Sequence, residues 1–125
     1  MIVDTVAGVL LRNGRVLVEE RRTDDSADPG LIVVPGGHVE LGETLEAGLR
    51  REMWEELGVR ISRMRLVVKR LYTASDGERQ RIHYFHVTSW KGRIRAREAE
   101  RVFWTKPPSL SDPRERRIVS DLSAR

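Results

Sequence analysis

Residues 37–59 read GHVELGETLEAGLRREMWEELGV, a glycine-led polar stretch that runs into a helical pattern and closes on Gly58. Leu45, Leu49, Met53 and Leu57 recur at four-residue steps, which predicts a helix over 44–57 with Gly58 as its C-terminal stop. At about 100° per residue, Glu52 and Glu56 fall within about 20° of Leu45, and Glu55 lies about 80° away on the same side. Three acids therefore border the apolar stripe, where a merely solvated face would point away from it. Like charges three and four residues apart repel by a few tenths of a kcal/mol per pair, so a compensating cation is expected. With no cysteine in the chain, carboxylate oxygens suit a hard divalent ion, Mg²⁺ with Mn²⁺ as a substitute. His38, His83 and His86 show no tight ligand spacing and read as strand or loop residues.

Outward from this segment the pattern alternates. Residues 2–11 and 15–20 are Val/Leu-rich runs around Asn13-Gly14, a strong hairpin signal. TDDSADPG over 23–30 is turn chemistry, 31–34 a short buried strand, and Pro35-Gly36-Gly37 a polar loop. Two long strands are expected over 59–73 and 80–90, joined around Ser75-Asp76-Gly77, with a shorter one over 102–104. Ser111 or Asp112 is a candidate N-cap for a closing helix that begins at Pro113 and presents Ile118, Val119 and Leu122. The sum is an α/β chain with a mixed sheet between helices.

The chain has 125 residues, enough for one domain over 1–125 with a real core. No repeat or low-complexity tract marks an internal boundary. The longest apolar stretch, Val6–Leu11, is far short of the roughly 20 residues of a membrane span, and Asp4 interrupts a signal-peptide reading, so no membrane partner and a cytoplasmic location are expected. Net charge is +4, and 20 of the 23 basic residues are Arg, the side chain best matched to phosphate. Residues 37–59 carry six Glu against two Arg, so an acidic segment sits within a basic protein, as expected where cations meet an anionic substrate. Residues 60–101 hold twelve Arg/Lys against four Asp/Glu with Tyr72, Tyr84, Phe85 and Trp90 interleaved. That strip raises a nucleic-acid reading, set aside because aromatics on strands more often alternate into a core.

Gly37, five residues, Glu43, seven residues, then Arg51-Glu52-Met53-Trp54-Glu55-Glu56-Leu57-Gly58-Val59 match the Nudix motif GX5EX7REUXEEXGU, U being a bulky aliphatic, at all nine specified positions. The chain thus resembles the Nudix hydrolases. The resemblance implies the Nudix fold, an α/β/α sandwich with a central mixed β-sheet and a loop-helix-loop catalytic element, and hydrolysis of a nucleoside diphosphate linked to another group. It implies Glu52, Glu55 and Glu56 as metal ligands, with the Gly36 carbonyl assisting, and Arg51 and Glu43 as partners that hold the helix acids in place. Water attacking one phosphorus then needs a base, either Glu52 or Glu98, because relatives often place in a loop beyond the second long strand a glutamate that adds a metal ligand or the base, which makes Glu98 a candidate for both. Glu100 is the rival position.

Beyond the motif, the length and the Arg21-Arg22 pair are similar to MutT-type nucleoside triphosphate pyrophosphohydrolases. That likeness makes Arg22 the phosphate-binding candidate, with Arg81 and Arg79 behind it. Gly37 and Val34 are expected at the substrate. Val34 departs from the aromatic of the MutT type, so an 8-oxoguanine preference does not follow. Asp112 stands where relatives read the base, and equally where an N-cap belongs. The expected reaction converts a nucleoside triphosphate to monophosphate and pyrophosphate. ADP-ribose, dinucleoside polyphosphates and nucleotide sugars remain alternative substrates, and a non-catalytic nucleotide sensor is a further class. Relatives are often homodimers, but no exposed apolar seam is readable here.

Overall fold

The computed structural model describes residues 1–125. Strands β1 (Ile2–Arg12) and β2 (Arg15–Glu20) form the expected hairpin. Asn13 (φ 52°) and Gly14 (φ 74°) both take positive φ at the turn, which matches the twist of the flanking strands. Strands β3 (Ile32–Val33) and β4 (Gly36–His38), helix α1 (Leu45–Leu57), strands β5 (Arg60–Thr73), β6 (Arg79–Lys91) and β7 (Arg101–Thr105), and helix α2 (Pro113–Ser123) complete the chain.

The sheet is mixed. β1 runs parallel to β6 from Ile2 opposite Arg79 to Leu10 opposite Val87, while β5 is antiparallel to β6. β2 continues the sheet to β3 on one stretch and β7 on another, both antiparallel. Alternation along β1 separates two cores. Val6 and Leu10 pack with Leu49, Met53 and Leu57 of α1, while Ala7 and Val9 pack with Val119 and Leu122 of α2. The result is the expected α/β/α sandwich. Gly8 leaves room for the helix: a Cβ there would stand 3.3 Å from Met53 Sδ. Tyr84 and Phe85 are buried in opposite cores and Trp90 packs against one of them, so these three aromatics of the basic strip serve the interior, while Tyr72 is half-buried against the α2 core and lines a cavity.

One expectation fails. Pro35-Gly36-Gly37 reads as a loop, yet Gly36–His38 form β4, antiparallel to Thr5–Ala7. The approach is close because two adjacent glycines lack side chains: a Cβ on Gly36 would lie 2.0 Å from the Val6 carbonyl oxygen. Local chemistry marks a breaker, and only the neighbouring strand makes it a partner. No helix is long and apolar enough to cross a membrane.

Candidate active site

Helix α1 stops at Gly58 as its sequence predicts and begins one residue later than expected, with Thr44 as its cap. Thr44 accepts a hydrogen bond at Oγ1 from the Ala47 N–H (3.1 Å), and Gly58 ends the helix in the left-handed region at φ 73°. Between these caps Arg51 gathers the acids. Its Nε donates to Glu43 Oε2 (2.8 Å), Nη1 to Glu52 Oε1 (2.9 Å) and Glu55 Oε1 (3.0 Å), and Nη2 to Glu43 Oε1 (3.0 Å) and the His38 carbonyl (2.8 Å). One guanidinium thus ties α1 to the preceding loop and to β4, a use of the planar fork that Lys cannot copy. Gly37 lies directly under Glu52: a Cβ there would come within 2.5 Å of both carboxylate oxygens.

Arg51 and the Glu40 N–H hold the Glu43 carboxyl down at about 2. Because that value is below the ordinary glutamate value of 4.5, the stability this pair contributes is present above about 4.5 and lost as pH falls toward about 2. The Tm advantage of the wild type over Glu43→Gln, followed by calorimetry across this range, is expected to be constant above pH 5 and to shrink steadily below about 4.5. An advantage that does not change with pH would show that charge pairing is not what Glu43 contributes.

Glu52 and Glu56 are shifted the other way. Burial raises the Glu52 carboxyl against the pull of Arg51, and it raises Glu56 much further, with Glu19 and Glu52 adding like charge. Glu56 is 5% exposed, and its Oε2 is buried with no hydrogen-bond partner. Glu19 on β2, which the sequence reading passed over, is 4% exposed and pushed up to about 7, chiefly by burial. Its signal was present: Glu19 interrupts an apolar run at a position facing the same core as Leu17. Arg51 holds Glu52 and Glu55, and nowhere in the chain, the Glu19, Glu56 and Glu98 trio included, do three acids already stand in ligating geometry; a cation would have to draw the carboxylates together. A buried carboxylate oxygen without a donor, among acids that burial and one another keep from ionising, fits the arrival of a hard divalent cation.

Two cavities adjoin this cluster. The smaller, about 130 Å³, is lined by Glu19, Arg21, Asp25, Glu56, Glu98 and Ala99. Glu98 reaches it because its loop is docked on the end of α1. The Arg97 N–H donates to the Glu56 carbonyl (3.0 Å), Arg97 Nη1 donates to the Trp54 carbonyl (2.8 Å), and the guanidinium lies 5.3 Å from the Trp54 ring centroid. Glu100 lines neither cavity; its N–H is tied to the Glu20 carbonyl (3.0 Å). The larger cavity, about 320 Å³, shares Glu19 and Arg21 with the smaller and extends to Val34, Gly36, Gly37, Arg70, Asp112 and Glu115.

Several expected substrate residues move. Arg22 is exposed, pairs with Asp24 (2.9 Å) and lines neither cavity. Arg21, two residues beyond Glu19, lines both, because alternate side chains of an extended chain share a face. Arg81 lies opposite Asp4 in the register and pairs with it (3.4 Å). On β6 it is Gln80 and Ile82 that line the larger cavity, and neither Arg79 nor Arg81 does. Asp112 caps α2 by accepting from the Glu115 N–H (2.9 Å), and it also lines the larger cavity, paired with Arg70 (3.2 Å). Glu115 and Arg70 were not anticipated. Glu115 accepts from the Val34 N–H (3.0 Å) and the Tyr84 hydroxyl (2.7 Å), and burial raises its carboxyl. None of the three histidines lines the smaller cavity with the acids. His38 meets Glu78 (2.6 Å) and His83 meets Asp4 (2.9 Å).

This sandwich, with a loop-helix-loop that gathers acids beside a cavity, defines a Nudix hydrolase, and the family model for the NUDIX domain matches residues 2–122. The chain belongs to that family, enzymes that act on pyrophosphate bonds, and within it is MutT-like. It is 48% identical over 58 residues to a MutT-like protein of Streptomyces ambofaciens, an alignment spanning 46% of this chain and about a third (34%) of that relative. It is 30% identical over 106 residues to the CTP pyrophosphohydrolase of Escherichia coli, covering 85% of this chain and 77% of that protein. The MutT Nudix hydrolase of Burkholderia pseudomallei superposes with a TM-score of 0.84 at 24% identity, covering 96% and 97% of the two chains, a likeness of fold.

Proposed function

We propose that the 125 residues form one catalytic unit that hydrolyses nucleoside triphosphates to the nucleoside monophosphate and pyrophosphate with Mg²⁺. The observation that carries this reading is the meeting of the two cavities at Glu19 and Arg21. An acid-lined space for cations shares a wall with a space of nucleoside size, and the shared wall carries a guanidinium suited to phosphate. Bound Mg²⁺ supplies charge neutralisation of the polyphosphate and acidifies the attacking water.

The chain's own residues do the rest. Glu52, Glu55 and Glu56 present the carboxylates that would hold the metal, the first two held by Arg51, which Glu43 in turn orients. Glu98, at the rim of the acid cavity, takes the proton from water, since Glu52 Oε1 is already engaged by Arg51. Arg21 binds substrate phosphate. Val34, Asp112 and Arg70 bound the base end, where the Asp112 carboxylate offers acceptors to amino or imino groups. Small nucleotides are its partners, and we place the protein in the cytoplasm with them.

The test is incubation with Mg²⁺ and a panel of triphosphates, 8-oxo-dGTP, ADP-ribose and diadenosine polyphosphates, with products resolved by chromatography and Glu55→Gln as control. Monophosphate plus pyrophosphate, lost in the variant, is the expected result. Turnover of ADP-ribose or dinucleotides alone would overturn the triphosphate reading. The two arginines separate in the same assay. Arg21→Ala is expected to raise KM at least about tenfold, the loss of one charge-assisted phosphate contact, while Arg22→Ala stays within about twofold, as exposed pairs contribute little. The reverse order would restore Arg22 as the phosphate ligand.

A further inference from the structure

Glu19 lies outside the Nudix motif, on a strand that the motif does not include. Val16 and Val18 of β2 enter the α2 core and Leu17 enters the α1 core, so the alternation calls for an apolar side chain at position 19. A carboxylic acid stands there instead, 4% exposed. No basic side chain forms an ion pair with it. Arg21, on the same face of the chain, donates from Nε to the Ala27 carbonyl (3.0 Å), and its Nη2 lies 3.6 Å from Asp25. The neighbour of Glu19 is another acid: the Glu19 and Glu56 carboxyls are within hydrogen-bonding reach of each other. Burying two carboxyls face to face is unfavourable unless something positive or a shared proton joins them.

A second observation points outward from the pair. Glu56 Oε2 is buried without any hydrogen-bond partner, and Glu56 borders the small cavity that Glu19 and Glu98 also line. Asp25, the remaining acid of that cavity, is already engaged by the Arg22 N–H (3.1 Å) and by Arg21. Glu52 and Glu55 do not line it; Arg51 holds both. About 130 Å³ accommodates an ion with part of its hydration shell. Oxygen donors alone, all carboxylate, select Mg²⁺ or Mn²⁺ over softer metals.

We infer that Glu19 is a carboxylate ligand of a divalent cation in this small cavity, shared with Glu56 and Glu98. The inference rests on the metal dependence proposed above and adds a ligand from β2 that the loop-helix-loop does not provide. It also accounts for an acid in a core-facing position: the carboxylate is kept where an apolar side chain would pack better because the site needs its charge.

Mn²⁺ binding to the EDTA-dialysed full chain, without substrate, tests this by titration with electron paramagnetic resonance of free Mn²⁺. Glu19→Gln is expected to lose one class of site or to bind at least about tenfold more weakly. In EDTA its Tm should stay at or above that of the wild type, and the rise in Tm on adding Mn²⁺ should shrink. Glu98→Gln, on an exposed loop with no folding role, should weaken the same class, and the double variant should be no worse than about the weaker single one. Wild-type stoichiometry, affinity and Tm rise in Glu19→Gln would overturn the assignment of Glu19 while leaving the metal reading standing. So would weakening in Glu98→Gln alone. A wild type that binds no Mn²⁺ would overturn both readings together.

Discussion

Glu56→Gln is expected to lower turnover at least about a hundredfold, the scale on which a single electrostatic contributor to phosphoryl chemistry is felt. It should do so without unfolding the protein. The carboxyl is buried, lacks a partner at Oε2 and is pushed well above its ordinary value by burial and by Glu19, so in the metal-free protein a neutral side chain suits the position. The amide is nearly isosteric, and its NH₂ can donate to the facing Glu19 carboxyl. Melting in EDTA should therefore be unchanged or slightly higher, while pyrophosphate release collapses. Activity within a few-fold of wild type would remove Glu56 from the reaction. A large drop in Tm would mean that the acid holds the fold instead of the metal.

Gly36→Ala and Gly37→Ala, adjacent and chemically identical changes, are expected to fail in different ways. A Cβ on Gly36 would meet backbone, 2.0 Å from Val6 O and 2.9 Å from Ala7 Cα. Backbone in a paired strand has nowhere to go, so β4 must separate from β1. A loss of about 3 kcal/mol or more, the upper range of overpacking, would lower Tm by about 10 °C. A Cβ on Gly37 meets only the end of a side chain, the Glu52 carboxylate at 2.4–2.5 Å. That group can swing aside, which leaves the fold within a few degrees of the wild type but takes Glu52 from Arg51 and from the other acids. Turnover should then fall about a hundredfold, since misplacing a group by about 1 Å suffices for that. Calorimetry and pyrophosphate release on the two variants separate the outcomes. Equal loss of stability in both would show that strand pairing alone demands the second glycine.

The difference between these glycines is also the difference between what was legible in the chain and what was not. Helix α1, its stop at Gly58, the Asn13-Gly14 hairpin and the sandwich class were readable because local rules produce them: a four-residue apolar step and residues that accept positive φ. That Glu52, Glu55 and Glu56 share one side of α1 was readable from the helical period, but not that Arg51 would hold the first two while Glu56 is buried beside Glu19. Local rules misread Gly36–His38, because the partner that makes it a strand is some thirty residues away. They could not say which of Arg21, Arg22 and Arg81 lines a cavity, because alternation says that neighbours face apart without saying which faces inward. Glu98 and Glu100 were separated only by the docking of their loop on the end of α1. Glu19, Arg70 and Glu115 escaped notice altogether: each is one polar residue in a strand or helix, and its meaning comes from acids and hydroxyls brought to it from elements far along the chain. Residue pattern along one element settles what that element is, and close packing between elements settles which of its side chains line a cavity.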